Sequence, residues 1–397
     1  MVARTEAVRA YRRAAKQLAA GVLEATGGRR LLASLKRRRA GGTRVLVLAY
    51  HRVVPDFEGL RQRSIPGLLT STRTFDRQLA WVSRSYRPAS LGEALDVLTG
   101  RTRSGHDLCV VTFDDGYADV LEYAAPILRK HGFPATLYVP SGFVGSRRPL
   151  LHDRLFRGLR LCAERKVDLR DVGGDGRVRA ALAAAGEGGP IAVLERLLEC
   201  WPREVCEACA AAIERRLGED PEAALVDSAL LDWEELRALG AMGVTIGGHT
   251  VDHACLPNES PAETERQLRA SRETMEAELG RPVVDFAYPN GWWSHGTIRA
   301  LVRNGYRSAV TTEDRPNRIG VNPYRLKRKS VWEYTSRGLL GYSEAVTACN
   351  LDGTFHALGL APWVPGELLD AVGTPARATA GAGAVPEADD AGSAAGV

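Results

Sequence analysis

Two short stretches hold residues whose types and spacing suit hydrolytic chemistry. In VVTFDDGYADV (110–120) a nearly continuous apolar run ends in adjacent carboxylates, Asp114 and Asp115, followed by Gly116. Neighbouring carboxylates repel, and burying them unpaired is costly. Either a cation sits beside them or they form a solvated turn. GGHTVDHACL (247–256) supplies His249 and His253, four residues apart. On a helical turn that spacing puts both imidazoles on one face, where they can grip one metal ion. Two histidines and one aspartate leave coordination positions open. The second aspartate is then free to act as a base on water, the division of labour that metal-assisted hydrolysis needs. A divalent cation would also make the charge repulsion tolerable.

Both stretches follow apolar runs that read as buried strands. TRVLVLAYHRV (43–53) is a first such strand, ending at Tyr50 and His51; LCVVTF (108–113) is a second and PATLYVPSGFVG (134–145) a third strand and loop. Between and after them lie helical patterns: Phe75 to Val82, SLGEALDVL with Ser90 and Glu93 as a capping pair, and YADVLEYAAPILRKHG with Gly132 as a stop. The pattern resumes with LLDWEELRALGAMG (230–243), in which Asp232 caps the helix, then VTIGGHT, a long helix over about 260–279, VVDFAYP and YRSAVTT. Alternation of this kind predicts a parallel sheet, so an α/β fold, whose strand ends gather on one rim where sites form. Residues 146–230 are rich in Ala, Arg and Glu and read as a mostly helical insertion. The segment after Pro365 lacks aromatics and reads as a disordered tail over 366–397.

The net charge of +5 over 397 residues is mild and gives no ground for a nucleic-acid partner. It is uneven: residues 1–42 carry eleven Lys and Arg against Glu6 and Glu24, a basic arm. No stretch reaches the roughly 18 apolar residues of a membrane span. Lys16 interrupts what would be the apolar core of a signal peptide. The expected location is therefore cytoplasmic, with the arm available for peripheral contact with the inner membrane face. Seven scattered cysteines do not form a disulfide framework, and Cys206 and Cys209 lie in a helical pattern rather than at a paired metal spacing.

TFDDGYAD with HTVDH resembles the polysaccharide deacetylases of the NodB-homology type, carbohydrate esterase family 4. GFPATLYVPSGFVG and FAYPNGWWS resemble two further motifs of that family. LAYHRV and LKRKSV resemble flanking segments of its exopolysaccharide-deacetylase branch. The resemblance spans about residues 44–335. It implies a distorted (β/α)7-type barrel formed by 43–145 and 231–335, interrupted by the 146–230 insertion and followed by an extension over 336–365. It further implies that Asp114 is the general base and that Asp115, His249 and His253 hold a divalent metal, zinc above all, with cobalt, nickel or iron as alternatives. The substrate implied is an N-acetylated carbohydrate that loses its acetyl group by amide hydrolysis.

Departures from the family pattern carry expectations of their own. The third motif often reads Arg-Pro-Pro-Tyr; here it is Ala287, Tyr288, Pro289 and Asn290, so the arginine that orients the base is missing. The Tyr288 backbone N–H is expected to face the oxyanion. Pro289 adjoins it, and Trp292 and Trp293 either wall the sugar pocket or pack in the core. The family's Leu-x-His acid is also missing. His51, at the end of the first strand, is the candidate acid, ahead of His152 and His295, which a loop or insertion would have to bring in. Two other readings stay open: a hydrolase of the same fold acting on a small amide or cyclic ureide, and a silent carbohydrate-binding protein.

Overall fold

The structure, a computed structural model, describes residues 2–360 apart from 30, 33, 36–41, 187 and 227. The tail expected over 366–397, and the end of the preceding extension, lie outside these residues.

Seven short strands form the frame: β1 (Val45–Tyr50), β2 (Leu108–Phe113), β3 (Ala135–Val139), β4 (Val244–Gly248), β5 (Asp285–Ala287), β6 (Ser308–Val310) and β7 (Lys329–Ser330). They lie in the spatial order β7-β1-β2-β3-β4-β5-β6 with every pairing parallel. Val310 bridges Leu326 in parallel, and the Thr311 N–H donates to the Leu326 carbonyl at 2.8 Å, so the segment leading into β7 closes the ring against β6. The fold is thus α/β, a distorted parallel barrel. Every residue of β1, β2 and β3 is buried, which is why these strands read as unbroken apolar runs instead of alternating ones.

Helices cover the barrel. Among them are α1 (Val2–Ala25), α2 (Thr72–Ser85), α3 (Leu91–Leu98) and α4 (Ala125–His131). The Ser90 side chain accepts the Glu93 N–H at the start of α3, and Gly132 ends α4 at φ 67°. Between β3 and β4 come α5 (Leu151–Glu164), α6 (Gly176–Ala185), α7 (Pro190–Cys200) and α8 (Arg203–Leu217). These four share a core of their own, with Leu155, Phe156, Leu194, Leu197, Cys206, Cys209 and Ile213 buried in it. Burying each large apolar side chain contributes roughly 1.5–3 kcal/mol, so packing holds these helices together more than propensity does. Then follow α9 (Trp233–Ala241), α10 (Pro261–Leu279), α11 (His295–Arg303) and α12 (Glu344–Leu351). Within the basic N-terminal segment Val2–Ala25 form α1: buried Ala20 clusters with Val346 and Cys349 of α12, and the Arg29 guanidinium pairs with Asp352 at 3.1 Å. No described helix is long and apolar enough to cross a membrane.

Strand β4 fits between β3 and β5 because Gly247 has no side chain. A Cβ there would stand 2.5 Å from Tyr138 Cδ1 and 2.9 Å from the Asp285 carbonyl oxygen. Gly247→Ala is expected to lower stability by about 1–3 kcal/mol, read from the midpoint of urea unfolding at unchanged slope.

Candidate metal and catalytic site

Register decides which residues meet on the C-terminal rim. Tyr50 of β1 pairs with Phe113 of β2, so His51 and Asp114 leave neighbouring strands side by side. Gly248 of β4 pairs with Val139 of β3 and Phe286 of β5, and His249 emerges next to them. Asp115 follows in the left-handed region at φ 75°, with Gly116 also left-handed at φ 78°. Four of the five described non-glycine residues with positive φ lie in these rim loops: Asp115, Thr250, His253 and Asn290. Such conformations persist where the surroundings enforce them, and they cluster at functional sites.

His249 and His253 do not sit on a helical turn. The chain after β4 is a loop in which Thr250 and His253 both take positive φ. Two buried side chains of α10 hold it: Gln267 Oε1 accepts the Val251 and Asp252 N–H groups at 2.9 and 3.1 Å, and the Ser271 hydroxyl donates to the Thr250 carbonyl at 2.9 Å. The loop still brings the two rings together, with centroids 4.8 Å apart and planes at 74°.

The Asp115 carboxylate lies between them. Its Oδ1 is 3.5 Å from His249 Nε2 and 3.2 Å from His253 Nε2. That oxygen is buried and has no hydrogen-bond partner, an expensive state for a carboxylate unless a cation completes it. His249 Nδ1 donates to the Ala287 carbonyl at 2.7 Å, which leaves Nε2 as the lone-pair nitrogen facing Asp115. These three residues therefore suit a divalent ion by geometry and by donor chemistry. Burial would raise the Asp115 pKa, but His249 and His253 hold it well below the ordinary carboxylate range. Burial pushes His253 down to about 4, whereas in His249 the Asp115 and Asp114 charges overcome burial and raise the pKa.

Asp114 has a different environment. Both its oxygens accept from Arg328, Nη1 to Oδ1 and Nη2 to Oδ2, each at 2.7 Å. Arg328 is fully buried, donates from Nε to the Thr311 carbonyl at 3.0 Å, and comes from the segment entering β7. The arginine that the third motif lacks at Ala287 is thus supplied by Arg328 of the flanking segment LKRKSV. Burial favours the neutral acid, yet Arg328 outweighs it and keeps Asp114 below its ordinary pKa, an ionised base at neutral pH.

The remaining expected site residues divide. His51 lies within electrostatic reach of Asp115, Asp114, Arg328 and His249, and burial lowers its pKa. Tyr288 is a correction. Its N–H already donates to the Val310 carbonyl at 3.2 Å because the ladder with β6 continues past Ala287, so that amide is not a free oxyanion donor. Its hydroxyl donates to the Tyr324 carbonyl. Pro289 is buried, and Asn290 stands where the family motif has tyrosine. Trp293 packs against the main core beneath Arg325, whose guanidinium carbon is 4.0 Å from the ring centroid, while Trp292 is half-buried. His295 is exposed at the start of α11, but His152 is buried beside Asp115. A cavity of about 600 Å³ lined by Arg44, Asn317 and Lys329 opens at the other end of the barrel and holds none of these groups.

A family model described as polysaccharide deacetylase matches residues 102–164 and 187–309, which contain the aspartate pair, both histidines and the loop after β5. Over those residues the chain is similar to the polysaccharide deacetylase family. That family comprises hydrolases acting on carbon–nitrogen bonds. YxkH of Bacillus subtilis (strain 168), named as a polysaccharide deacetylase, is 18% identical over 242 residues, covering 61% of this chain and 58% of YxkH, so the match spans less than two thirds of that relative. Among solved structures, the Streptococcus pyogenes deacetylase PplD in complex with acetate is 17% identical, with 73% of this chain and 93% of that one covered at a TM-score of 0.48. IcaB from Ammonifex degensii is 21% identical, with 74% and 94% covered at a TM-score of 0.49.

Proposed function

We propose that this polysaccharide deacetylase relative is a metal-dependent N-deacetylase that hydrolyses the acetamide of N-acetylhexosamine units in a polysaccharide or glycolipid. One observation carries the reading: a buried, unpartnered Asp115 oxygen faces two imidazole nitrogens, with an ionised Asp114 next in the chain. Asp115, His249 and His253 would hold the ion, zinc by preference. When bound, the metal supplies Lewis-acid polarisation of the amide and lowers the pKa of water. Asp114 takes a proton from the attacking water, and Arg328 fixes the plane of its carboxylate. The proton must finally reach the departing amine, and we assign that transfer to His51, whose pKa burial lowers. The small-amide alternative rests on the missing arginine and on the large insertion, which could reshape the groove; Arg328 answers the first ground, and the substrate comparison decides the second.

The test is chemical. Purified protein with added zinc or cobalt should release acetate and free amine in equal amounts from N-acetylglucosamine oligomers, and do so faster than from small amides or cyclic ureides. Preference for the small amides would move the substrate to the alternative class. His51→Ala is expected to lower kcat by about 10²-fold or more with metal content unchanged. Metal loss in that variant would make His51 a ligand or a structural residue instead.

A further inference from the structure

The four-helix insertion touches both halves of the site. On one side, the first turn of α5 reaches the aspartate loop. His152 Nε2 lies 2.8 Å from the Tyr117 hydroxyl, and that hydroxyl donates to Asp153 Oδ2 at 2.9 Å. Since Tyr117 gives its only proton to Asp153, the His152 contact requires an N–H on Nε2, donating to the Tyr117 oxygen. That nitrogen is thereby excluded as a metal ligand. It lies 3.8 Å from Asp115 Oδ2, the carboxylate oxygen opposite the one that faces His249 and His253. The His152 ring centroid is 5.0 Å from that of His253. All three members of the chain are buried: His152 and Asp153 are 6% exposed and Tyr117 is 0% exposed. Arg52 covers the Tyr117 ring at 4.7 Å.

On the other side, the insertion holds the histidine loop. Arg203, first in α8, donates from Nε to the Asp252 carbonyl at 3.1 Å, and its N–H donates to Glu259 at 2.8 Å. Asn258 Nδ2 donates to the Leu198, Glu199 and Trp201 carbonyls at the end of α7, at 3.0, 3.1 and 3.3 Å. The chain leaving the insertion then pairs with the aspartate loop, where the Leu231 N–H donates to the Gly116 carbonyl at 2.9 Å and the Ala118 N–H to the Ala229 carbonyl at 2.9 Å.

We propose that the insertion is a positioning element of the metal site, in which the buried chain Asp153–Tyr117–His152 locks the His152 ring against Asp115 and His253 and so fixes the ligand-bearing loops for the ion. This rests on reading Asp115, His249 and His253 as ligands. Groups that orient a ligand commonly change metal affinity by 10–100-fold.

The test uses full-length protein and cobalt(II), with affinity read by competition against a chelating dye and ligand geometry read from the visible cobalt spectrum. Tyr117→Phe, which keeps the ring under Arg52, and His152→Ala should each weaken cobalt binding by about tenfold or more and alter the spectrum. His152→Gln, which keeps an N–H donor, should recover most of the affinity. Should His152→Ala fail to fold, Tyr117→Phe carries the comparison. Wild-type affinity and spectrum in folded Tyr117→Phe and His152→Ala would overturn this proposal alone. Wild-type protein that binds no cobalt would overturn the ligand reading and this proposal with it.

Discussion

Asp114→Asn is expected to lower acetate release by about 10²–10⁴-fold while leaving bound metal close to wild type, with the unfolding midpoint lowered because buried Arg328 loses its counter-charge. The substitution preserves shape. The amide oxygen can still accept one of the two 2.7 Å bonds from Arg328, and Asp115, with both histidines, is untouched. What disappears is the negative charge that takes the proton from water. Asp115→Asn offers the contrast, because there metal content should fall together with activity. Measuring acetate release and metal stoichiometry on the same samples separates the two roles. Wild-type turnover in Asp114→Asn would remove Asp114 from the chemistry.

Arg328→Met should be the most damaging change to the scaffold of the site. The guanidinium is fully buried and makes a bidentate pair with a buried carboxylate. Removing one member of such a pair strands the other, at a cost of about 3–5 kcal/mol. The pH dependence has a definite sign. In wild type Arg328 depresses the Asp114 pKa. The stabilisation this represents is present above the unfolded carboxylate value of about 4 and is lost as pH falls through the lower folded value. In Arg328→Met only the lesser influence of His249 and His51 opposes burial, so the Asp114 pKa rises and its ionised form destabilises the fold at neutral pH. The stability gap between the two proteins should therefore be widest near pH 7 and shrink as pH falls through the ordinary carboxylate range. In activity, the acid limb of the pH–rate profile should move up by about one unit or more. Urea unfolding at pH 7 and pH 4.5 checks the first effect, and kcat/KM against pH checks the second. A gap that does not change with pH would detach the Arg328 effect from Asp114.

What the sequence made legible follows from physics it encodes locally. Strands buried on both faces must be apolar throughout, so β1, β2 and β3 stand out as runs, and the polar residues just past them had to lie on one rim. The aspartate pair and the two histidines were readable for that reason. Arg328 was not: it contacts Asp114 across 214 residues of chain, and among Lys327, Arg328 and Lys329 nothing local marks the one that turns inward. His152 could be named but not placed, because only the packing of the insertion brings α5 to Asp115. The Tyr288 assignment failed because a backbone amide is spent or free according to strand register, and the register with β6 gives the Tyr288 N–H to the Val310 carbonyl. The histidine spacing suggested a helical turn, whereas a loop pinned by Gln267 and Ser271 achieves the same juxtaposition.

The central claim is that Asp115, His249 and His253 bind the ion on which amide hydrolysis by this chain depends. Its most direct test is acetate release from N-acetylglucosamine oligomers by one preparation before chelation, after chelation, and after return of one equivalent of zinc or cobalt. Release should be lost on stripping and restored by the single equivalent in wild type, but not in His249→Ala. Undiminished release from the stripped protein, or full restoration in His249→Ala, would contradict it.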